Sequence, residues 1–344
     1  MIAKSHPEGG IDLSVGTPVD DVPEFIQAAL RGSSNTPGYP LTIGSPQLRE
    51  AMRQWAEHVL GVTGDFDLLP TIGSKELIAL LPSFLEAKRV LYPEIAYPTY
   101  LVGALIAHAD AKAVGLDPTT WPDADLVWTN SPSNPTGRIA PREEMQAAID
   151  YSRRTGAIVA SDECYINFPA KEQGGAQPLS ILSVAAGDNR GLLAVHSLSK
   201  RSNLAGYRAG LIVGDPELIN RIREIRKHAG QLMPAPVQAA MTVALGDEEH
   251  VIEQAKRYAR RRAVLAPALE AIGFRIDHTE AGLYIWCTRD ESDMSSVDAL
   301  AQLGVLVTPG HFYGVAGARH IRVALTASDD AIAQAAQRLR SSVK

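Results

Sequence analysis

Residues 45–245 alternate short runs of β-branched residues with longer amphipathic stretches, and this alternation constrains the fold more than any other feature. Strands are predicted at 90–93, 125–130, 157–163, 192–199 and 209–215. Helices are predicted at 46–59, 75–85, 98–107, 142–154, 216–228 and 235–245. Strands that alternate with helices favour an α/β fold, with a mostly parallel sheet covered on both faces and ligands bound beyond the carboxyl ends of the strands.

The pattern changes after about residue 247. A long charged helix is followed by FRIDHT and GLYIWCT, which alternate like antiparallel strands, and then by a short helix, VLVTPG, the strand HIRVALT and a terminal helix. We therefore expect a large domain at 30–246 and a smaller α+β domain formed by 1–29 and 247–344.

Charge and composition exclude several classes of protein. The chain of 344 residues has a net charge of −6 and no block of Lys and Arg, so a nucleic-acid partner is not expected. Cys164 and Cys287 fit neither a disulfide framework nor a metal-ligand spacing. The amino terminus lacks a signal-peptide pattern, and the most apolar stretch, 77–85, is about half a membrane span. We expect a soluble, cytoplasmic protein with no membrane partner.

Two nucleotide-binding motifs are missing from the sequence: no strand precedes G-x-G-x-x-G, and G-x-x-x-x-G-K-[ST] does not occur. A nicotinamide dehydrogenase and a P-loop NTPase are therefore disfavoured. Instead, HSLSK (196–200) closes a predicted strand, and Arg208 follows between Gly206 and Gly210. Two hydroxyls, an arginine and a lysine at one strand end predict an anion site with an amine beside it.

Three further segments are expected at the same edge of the sheet. GSKE (73–76) opens a helix, where unpaired N–H groups and the helix dipole favour a phosphate. Asp162 follows a buried strand and could hold a heteroaromatic nitrogen protonated, although such a carboxylate is commonly a loop cap. Asn134, in the turn NSPSNPTG, would project a neutral donor beyond another strand.

The ordered set NPTG, SDEC-Y, SLSK and GYRAG resembles the fold type I, class I and II aminotransferases, which use pyridoxal 5′-phosphate (PLP). The resemblance covers nearly the whole chain. It implies a mostly parallel seven-stranded sheet between helices, a smaller α+β domain, PLP as the cofactor and a homodimer.

The resemblance also implies roles for individual residues. Lys200 would form the Schiff base with PLP and shuttle the proton during catalysis. Asp162 would pair with the pyridinium nitrogen, and Asn134 and Tyr165 would hydrogen-bond the phenolic oxygen. Arg322, in HIRVALT, would bind the substrate α-carboxylate with its planar fork.

The remaining implied contacts surround the cofactor. Ser74, Ser197, Arg208 and the backbone of Lys75 would hold the phosphate. Tyr97 would stack on the ring, and Gly16 would contribute its backbone. Tyr39 would reach the phosphate in the neighbouring subunit.

The strings SLSKRSN and TIGSKELIALLP are similar to the N-succinyl-LL-2,6-diaminopimelate:2-oxoglutarate aminotransferases of the bacterial lysine pathway. This resemblance implies ping-pong transamination of small amino acids and 2-oxo acids, with glutamate as the partner amino acid. The succinyl carboxylate needs a further cation, for which Arg201 and the Lys75 side chain are candidates. The alternative role for Arg201 is a structural ion pair.

Other functions share most of these residues. An aspartate, alanine or aromatic aminotransferase would use the same cofactor contacts, and so would a PLP-dependent C–S β-lyase. A non-catalytic PLP-sensing regulator domain is disfavoured, because the acidic chain has no room for a DNA-binding segment.

Overall fold

The computed structural model describes His6, residues 9–169 and residues 177–342. The helices are α1 (Glu24–Gly32), α2 (Pro46–His58), α3 (Gly73–Phe84), α4 (Thr99–Ile106), α5 (Arg142–Thr155), α6 (Ile181–Val184), α7 (Leu198–Arg201), α8 (Pro216–His228), α9 (Ala235–Leu245), α10 (Glu249–Ala271), α11 (Asp293–Gln302) and α12 (Asp329–Ser341). The strands are β1 (Ile11–Asp12), β2 (Asp67–Ile72), β3 (Arg89–Pro93), β4 (Asp110–Val114), β5 (Leu126–Asn130), β6 (Ile158–Asp162), β7 (Leu192–Ser197), β8 (Ala209–Gly214), β9 (Arg275–His278), β10 (Tyr284–Thr288), β11 (Val305–Leu306), β12 (Thr308–Pro309) and β13 (Ile321–Ala324).

A seven-stranded sheet in the order β2-β8-β7-β6-β5-β3-β4 forms the centre of the molecule. Strand β8 is antiparallel to both of its neighbours, and the other pairings are parallel. Successive side chains enter two hydrophobic cores, one on each face, as Leu68 and Leu69 do. The predicted fold class, a mostly parallel seven-stranded sheet between helices, is confirmed.

Strands β2 and β4 were not predicted from the sequence, and both lie at edges of this sheet. Pro70 interrupts β2 and argues against a central strand, but an edge strand tolerates a proline. Strand β4 reads DAKAV, with two alanines and two charged residues, so its local preference for strand is weak.

The C-terminal part contains an antiparallel sheet in the order β12-β13-β10-β9. Helices α10 and α12 pack together, and this part has a hydrophobic core of its own. One face of the sheet carries Tyr284 and Trp286 on β10 together with Arg322 on β13. These side chains face the carboxyl ends of the central strands.

The amino-terminal residues contact both parts. Strand β1 pairs in parallel with β11, and the Leu13 backbone is bonded to Leu306 and Ala324. Helix α1 packs on α9 instead, and its Ile26 is fully buried in a core of the central sheet. The segment 24–29, assigned to the smaller domain from the sequence, therefore packs with the larger part. The domain boundaries themselves stay predictions.

Within the described residues, no helix has the length and apolarity that crossing a membrane requires.

Candidate active site

A cleft of about 530 Å³ lies at the carboxyl ends of β5, β6 and β7, facing the C-terminal sheet. All of the site residues predicted from the sequence line it, except Tyr39 and Arg201. The lining residues are Gly16, Thr17, Ser74, Lys75, Tyr97, Asn134, Asp162, Cys164, Tyr165, Ser197, Ser199, Lys200, Ala205, Gly206, Arg208, Tyr284 and Arg322.

Lys200 projects into the cleft from the short helix α7, directly after β7. Its Nζ donates to the carbonyl oxygen of Gly16 at 2.5 Å. Burial lowers the pKa of Lys200 to about 8, and the guanidinium groups of Arg322 and Arg208 act in the same direction. A substantial fraction of the amine is therefore neutral near pH 8 and can act as a nucleophile.

Asp162 ends β6 and is 5% exposed. Its Oδ2 accepts from the Tyr100 hydroxyl at 2.8 Å, and its Oδ1 accepts from the Cys164 N–H at 3.2 Å. Burial raises the pKa of Asp162, and no cation of the described residues forms an ion pair with it. A cationic ligand atom at this position would supply the missing charge partner.

The start of α3 and Arg208 form an anion cradle. Gly73 and Arg208 both have positive φ, at 68° and 60°. A Cβ on residue 73 would collide with the Arg208 guanidinium, so glycine lets that group lie against the first turn of α3. Ser74 and Ser197 line the same cleft. Helix N–H groups, hydroxyls and a guanidinium are together the donor set that a phosphate prefers.

Arg322 lies at the opposite wall and is 7% exposed. Its Nη1 donates to Asn134 Oδ1 at 3.0 Å, and its Nη2 donates to the Ser14 carbonyl oxygen at 2.5 Å. Its Nε has no hydrogen-bond partner, and no carboxylate pairs with the guanidinium among the described residues. The ring of Tyr284 lies 4.2 Å below the guanidinium carbon. A carboxylate ligand would complete this site.

Asn134 is fixed by its neighbours before any ligand binds. Its backbone N–H donates to Asn130 Oδ1 at 2.7 Å, and Asn130 Nδ2 donates in turn to the Asp162 carbonyl oxygen at 2.8 Å. The turn NSPSNPTG is therefore tied to the end of β6.

Two tyrosines in or beside this cleft were missed from the sequence. The Tyr284 hydroxyl lies 3.1 Å from that of Tyr165, and a Cβ at Gly16 would collide with it. Tyr100 orients Asp162, as described above. Tyr100 follows Tyr97 by three residues in the AYPTY segment, which was a signal in the sequence, whereas GLYIWCT showed only a strand.

The two predicted residues outside the cleft differ in kind. Tyr39 is 97% exposed, so its predicted contact with a neighbouring subunit stays a prediction. Arg201 is 2% exposed and points away, with Nη2 bonded to Glu248 Oε1 at 2.7 Å. Its guanidinium also lies over the Trp55 ring. The substrate-binding role expected for Arg201 is therefore corrected to a structural ion pair.

PLP fits the groups that the cleft contains. The phosphate matches the Gly73–Arg208 cradle, the pyridine nitrogen matches the unpaired carboxylate of Asp162, and the aldehyde carbon matches the amine of Lys200.

The comparisons with known proteins agree with this geometry. A family model described as aminotransferase class I and II matches residues 8–339. The probable aminotransferase Rv1178 of Mycobacterium tuberculosis is 49% identical, over 98% of this chain and 82% of its own length. The 4-dedimethylamino-4-oxo-anhydrotetracycline transaminase OxyQ of Streptomyces rimosus is 48% identical, over 98% of this chain and 95% of its own length. A solved structure titled probable N-succinyldiaminopimelate aminotransferase, from Thermus thermophilus, is 28% identical with a TM-score of 0.88, over 98% and 96%.

Proposed function

Because the chain belongs to the aminotransferase class I and II family, we propose that it exchanges an amino group between N-succinyl-LL-2,6-diaminopimelate and 2-oxoglutarate. Aminotransferases of this family depend on PLP. When bound, PLP supplies a carbonyl that carries the amino group and a ring that accepts electron density from the substrate Cα.

Lys200 performs the proton transfers in this proposal. Because its pKa is lowered to about 8, Nζ can take a proton from the substrate Cα. The same nitrogen would return the proton at the carbon that belongs to the aldehyde of free PLP. Gly16 orients the amine through its carbonyl oxygen. Asp162, held by Tyr100, keeps the pyridine nitrogen protonated by supplying a buried negative charge.

Arg322 and Asn134 orient the amino acid. The guanidinium presents an unpartnered Nε in a fixed position, so an α-carboxylate can form charge-assisted hydrogen bonds there. Asn134 Oδ1 already accepts from Arg322, which leaves its Nδ2 available as a donor. Arg322 and Lys200 line the same cleft, so a carboxylate held by Arg322 keeps the amino acid in the cleft that contains the Lys200 amine.

The observation that carries the substrate proposal is a second cation in the same cleft. The Lys75 ammonium lies 5.7 Å from the centre of the Tyr97 ring and forms no ion pair with the described residues. A substrate with two separated carboxylates can therefore engage Arg322 at one end and Lys75 at the other. Both N-succinyl-LL-diaminopimelate and 2-oxoglutarate have that chemistry, and the likeness to the Thermus thermophilus protein supports the choice.

A second candidate substrate class rests on sequence similarity. The Streptomyces rimosus relative, at 48% identity, is named for an oxo group on an anhydrotetracycline ring system. A fused-ring ketone as the amino acceptor is therefore the alternative, together with simpler amino acids such as aspartate and alanine and with C–S β-elimination.

We also propose a homodimer in which Tyr39 reaches the phosphate of the neighbouring subunit. Tyr39 is the most exposed large aromatic side chain of the described residues, at 97%. A partner subunit would cover this side chain and give its hydroxyl a hydrogen-bond partner.

Half-reactions test the substrate proposal. PLP-loaded protein is mixed separately with N-succinyl-LL-diaminopimelate, glutamate, aspartate or alanine, and loss of the visible cofactor absorbance is followed. The proposal predicts fast loss with the first two. Lys75→Met should slow these two by about tenfold, since it removes one charge-assisted bond, and leave alanine unchanged.

Other outcomes point to the alternatives. Faster loss with aspartate or alanine would contradict the substrate assignment. Pyruvate release from cystathionine without an added 2-oxo acid would indicate a β-lyase. Turnover of a fused-ring ketone with glutamate, in the absence of activity on diaminopimelates, would favour the second candidate.

A further inference from the structure

The hydroxyls of Tyr284 and Tyr165 form a hydrogen-bonded pair between the two sheets that enclose the cleft. Tyr284 lies on β10 of the C-terminal sheet, and Tyr165 follows the end of β6 in the central sheet. The two side chains are 2% and 6% exposed, and their hydroxyl oxygens are 3.1 Å apart. Their rings meet edge to face, with centres 5.6 Å apart. Both residues line the cleft, so the pair is a fixed part of its wall.

Glycine at position 16 permits this contact. A Cβ there would collide with the Tyr284 hydroxyl, so a larger residue would push the tyrosine away from Tyr165. The carbonyl oxygen of Gly16 also accepts from Lys200 Nζ. The Tyr284 hydroxyl is therefore packed against the residue that orients the lysine.

Arg322 holds the ring of Tyr284. The guanidinium carbon lies 4.2 Å from the centre of this ring. Because the guanidinium is itself bonded to Asn134 and to the Ser14 carbonyl oxygen, it is a fixed surface for the ring to pack on. Tyr284 thus contacts the proposed carboxylate site through its ring and Tyr165 through its hydroxyl.

The direction of the hydrogen bond between the two hydroxyls decides what Tyr165 can do. Each hydroxyl carries a single hydrogen, so only one of the two can donate across the 3.1 Å contact. Burial raises the pKa of the Tyr165 hydroxyl well above its ordinary value, and the Tyr284 contact acts in the same direction, so Tyr165 keeps its proton. If Tyr165 gives this hydrogen to the phenolic oxygen of PLP, as the sequence resemblance implies, Tyr284 must be the donor to Tyr165. A hydroxyl that accepts one hydrogen bond becomes a stronger donor of the next.

We propose that Tyr284 is a positioning residue for the cofactor: its hydroxyl donates to Tyr165 and thereby directs the Tyr165 hydroxyl to the phenolic oxygen of PLP. This role rests on the PLP contact predicted for Tyr165 and is independent of which substrate the cleft takes. A hydrogen bond to the phenolic oxygen reduces the negative charge beside the nitrogen that joins PLP to Lys200. That nitrogen then loses its proton at a lower pH than it would without the bond.

A pH titration of the visible absorbance of the PLP-loaded protein, without substrate, follows the proton on that nitrogen. Tyr284→Phe keeps the ring beside Arg322 and removes only the hydroxyl. It should raise the midpoint of the titration by about 0.2–0.5 pH unit, because cooperative strengthening is a fraction of one hydrogen bond. Tyr165→Phe removes the bond to the phenolic oxygen itself and should raise the midpoint by about 1–2 pH units.

Two controls separate this coupling from a general effect on the cleft. Adding Tyr284→Phe to Tyr165→Phe should cause no further shift, because the effect passes through the Tyr165 hydroxyl. Tyr313→Phe removes a hydroxyl from a second ring beside Arg322, 5.1 Å from the guanidinium carbon, and should leave the midpoint unchanged. The remaining charged and titratable groups that line the cleft are the same in every variant, namely Lys75, Tyr97, Asp162, Cys164, Lys200, Arg208 and Arg322.

A lower midpoint in Tyr284→Phe would overturn the proposal, since it would mean that Tyr165 donates to Tyr284. An unchanged midpoint, or the same shift from Tyr284→Phe with and without the Tyr165 hydroxyl, would overturn it as well. An unchanged midpoint in Tyr165→Phe would remove the PLP contact of Tyr165 and, with it, the role of Tyr284. None of these results bears on the substrate assignment, because no substrate is present.

Discussion

The lowered pKa of Lys200 should make the free energy of unfolding depend on pH, and comparison with Lys200→Met isolates this effect. Methionine has a similar length and carries no charge. In the cofactor-free protein the pKa of Lys200 is about 8, against an ordinary value of 10.5, so the native state binds fewer protons than the unfolded chain between these two values. The free energy of unfolding of the wild type should therefore rise with pH over this interval, relative to the variant.

The size of the effect follows from the same two pKa values. Near pH 7 the amine is charged in the unfolded chain, and burial makes the charged form unfavourable in the folded chain. With a folded-state pKa of about 8, Lys200 therefore destabilises the folded chain by about 3 kcal/mol at this pH. The penalty falls to roughly 1 kcal/mol near pH 9.5. The difference in the free energy of unfolding, wild type minus variant, should therefore increase by about 2 kcal/mol.

Urea unfolding of both cofactor-free proteins at several pH values between about 7 and 9.5 measures this difference. Ser199→Ala is the control, because it changes a neutral neighbour of Lys200. The free energy of unfolding of the wild type minus that of Ser199→Ala should not change with pH. A difference between wild type and Lys200→Met that stays flat, or that falls as the pH rises, would refute the argument that burial among cations lowers the pKa of Lys200.

Four further predictions concern the cleft. Asp162→Asn should retain PLP but lower kcat at least about 100-fold, measured by steady-state kinetics, because an amide cannot hold the pyridine nitrogen protonated. Arg322→Lys should raise KM for amino acids about 10- to 100-fold, since a lysine cannot form the two-pronged contact. Gly73→Ala should lower the melting temperature and weaken PLP binding, because the added Cβ collides with Arg208. Tyr39→Phe should raise the dissociation constant of PLP about tenfold, measured by absorbance titration.

Each of these has a contrary result. Wild-type kcat in Asp162→Asn would remove the carboxylate from its role, and an unchanged KM in Arg322→Lys would remove the guanidinium. Normal melting and PLP affinity in Gly73→Ala would show that the cradle relaxes. Unaltered PLP affinity in Tyr39→Phe would argue against a contact between the Tyr39 hydroxyl and the PLP phosphate of the neighbouring subunit.

The interior strands of the fold were predictable because they are buried on both faces. Runs such as LVWTN and IVASD are rich in apolar and β-branched residues, so they can be recognised as strands from their own sequence alone. Edge strand β4 lacks that pattern, because its residues are mostly exposed or half-buried. Edge strand β2 is buried on both faces and was missed because Pro70 interrupts it. Helix α1 was missed because its nine residues, begun by Pro23, are short and lack a capping side chain.

The site was predictable where its residues follow strand ends in short motifs. Lys200, Asp162 and Asn134 converge because β7, β6 and β5 are parallel neighbours in the sheet. Tyr284 comes from the distant C-terminal sheet, so its approach depends on how the two sheets meet. The side-chain direction of Arg201 could not be predicted from the sequence. Arg201 is the next residue after Lys200 in α7, and this one-residue step directs its side chain away from the cleft, towards Trp55 and Glu248.

We expect this cleft to bind PLP covalently through Lys200. Reduction of the PLP-loaded protein with borohydride, followed by proteolysis and mass spectrometry, tests it directly. A phosphopyridoxyl group is expected on the peptide that contains Lys200, and it should be absent from Lys200→Ala. A modified peptide elsewhere in the chain, or the same labelling in Lys200→Ala, would contradict the assignment of Lys200 as the residue that binds PLP.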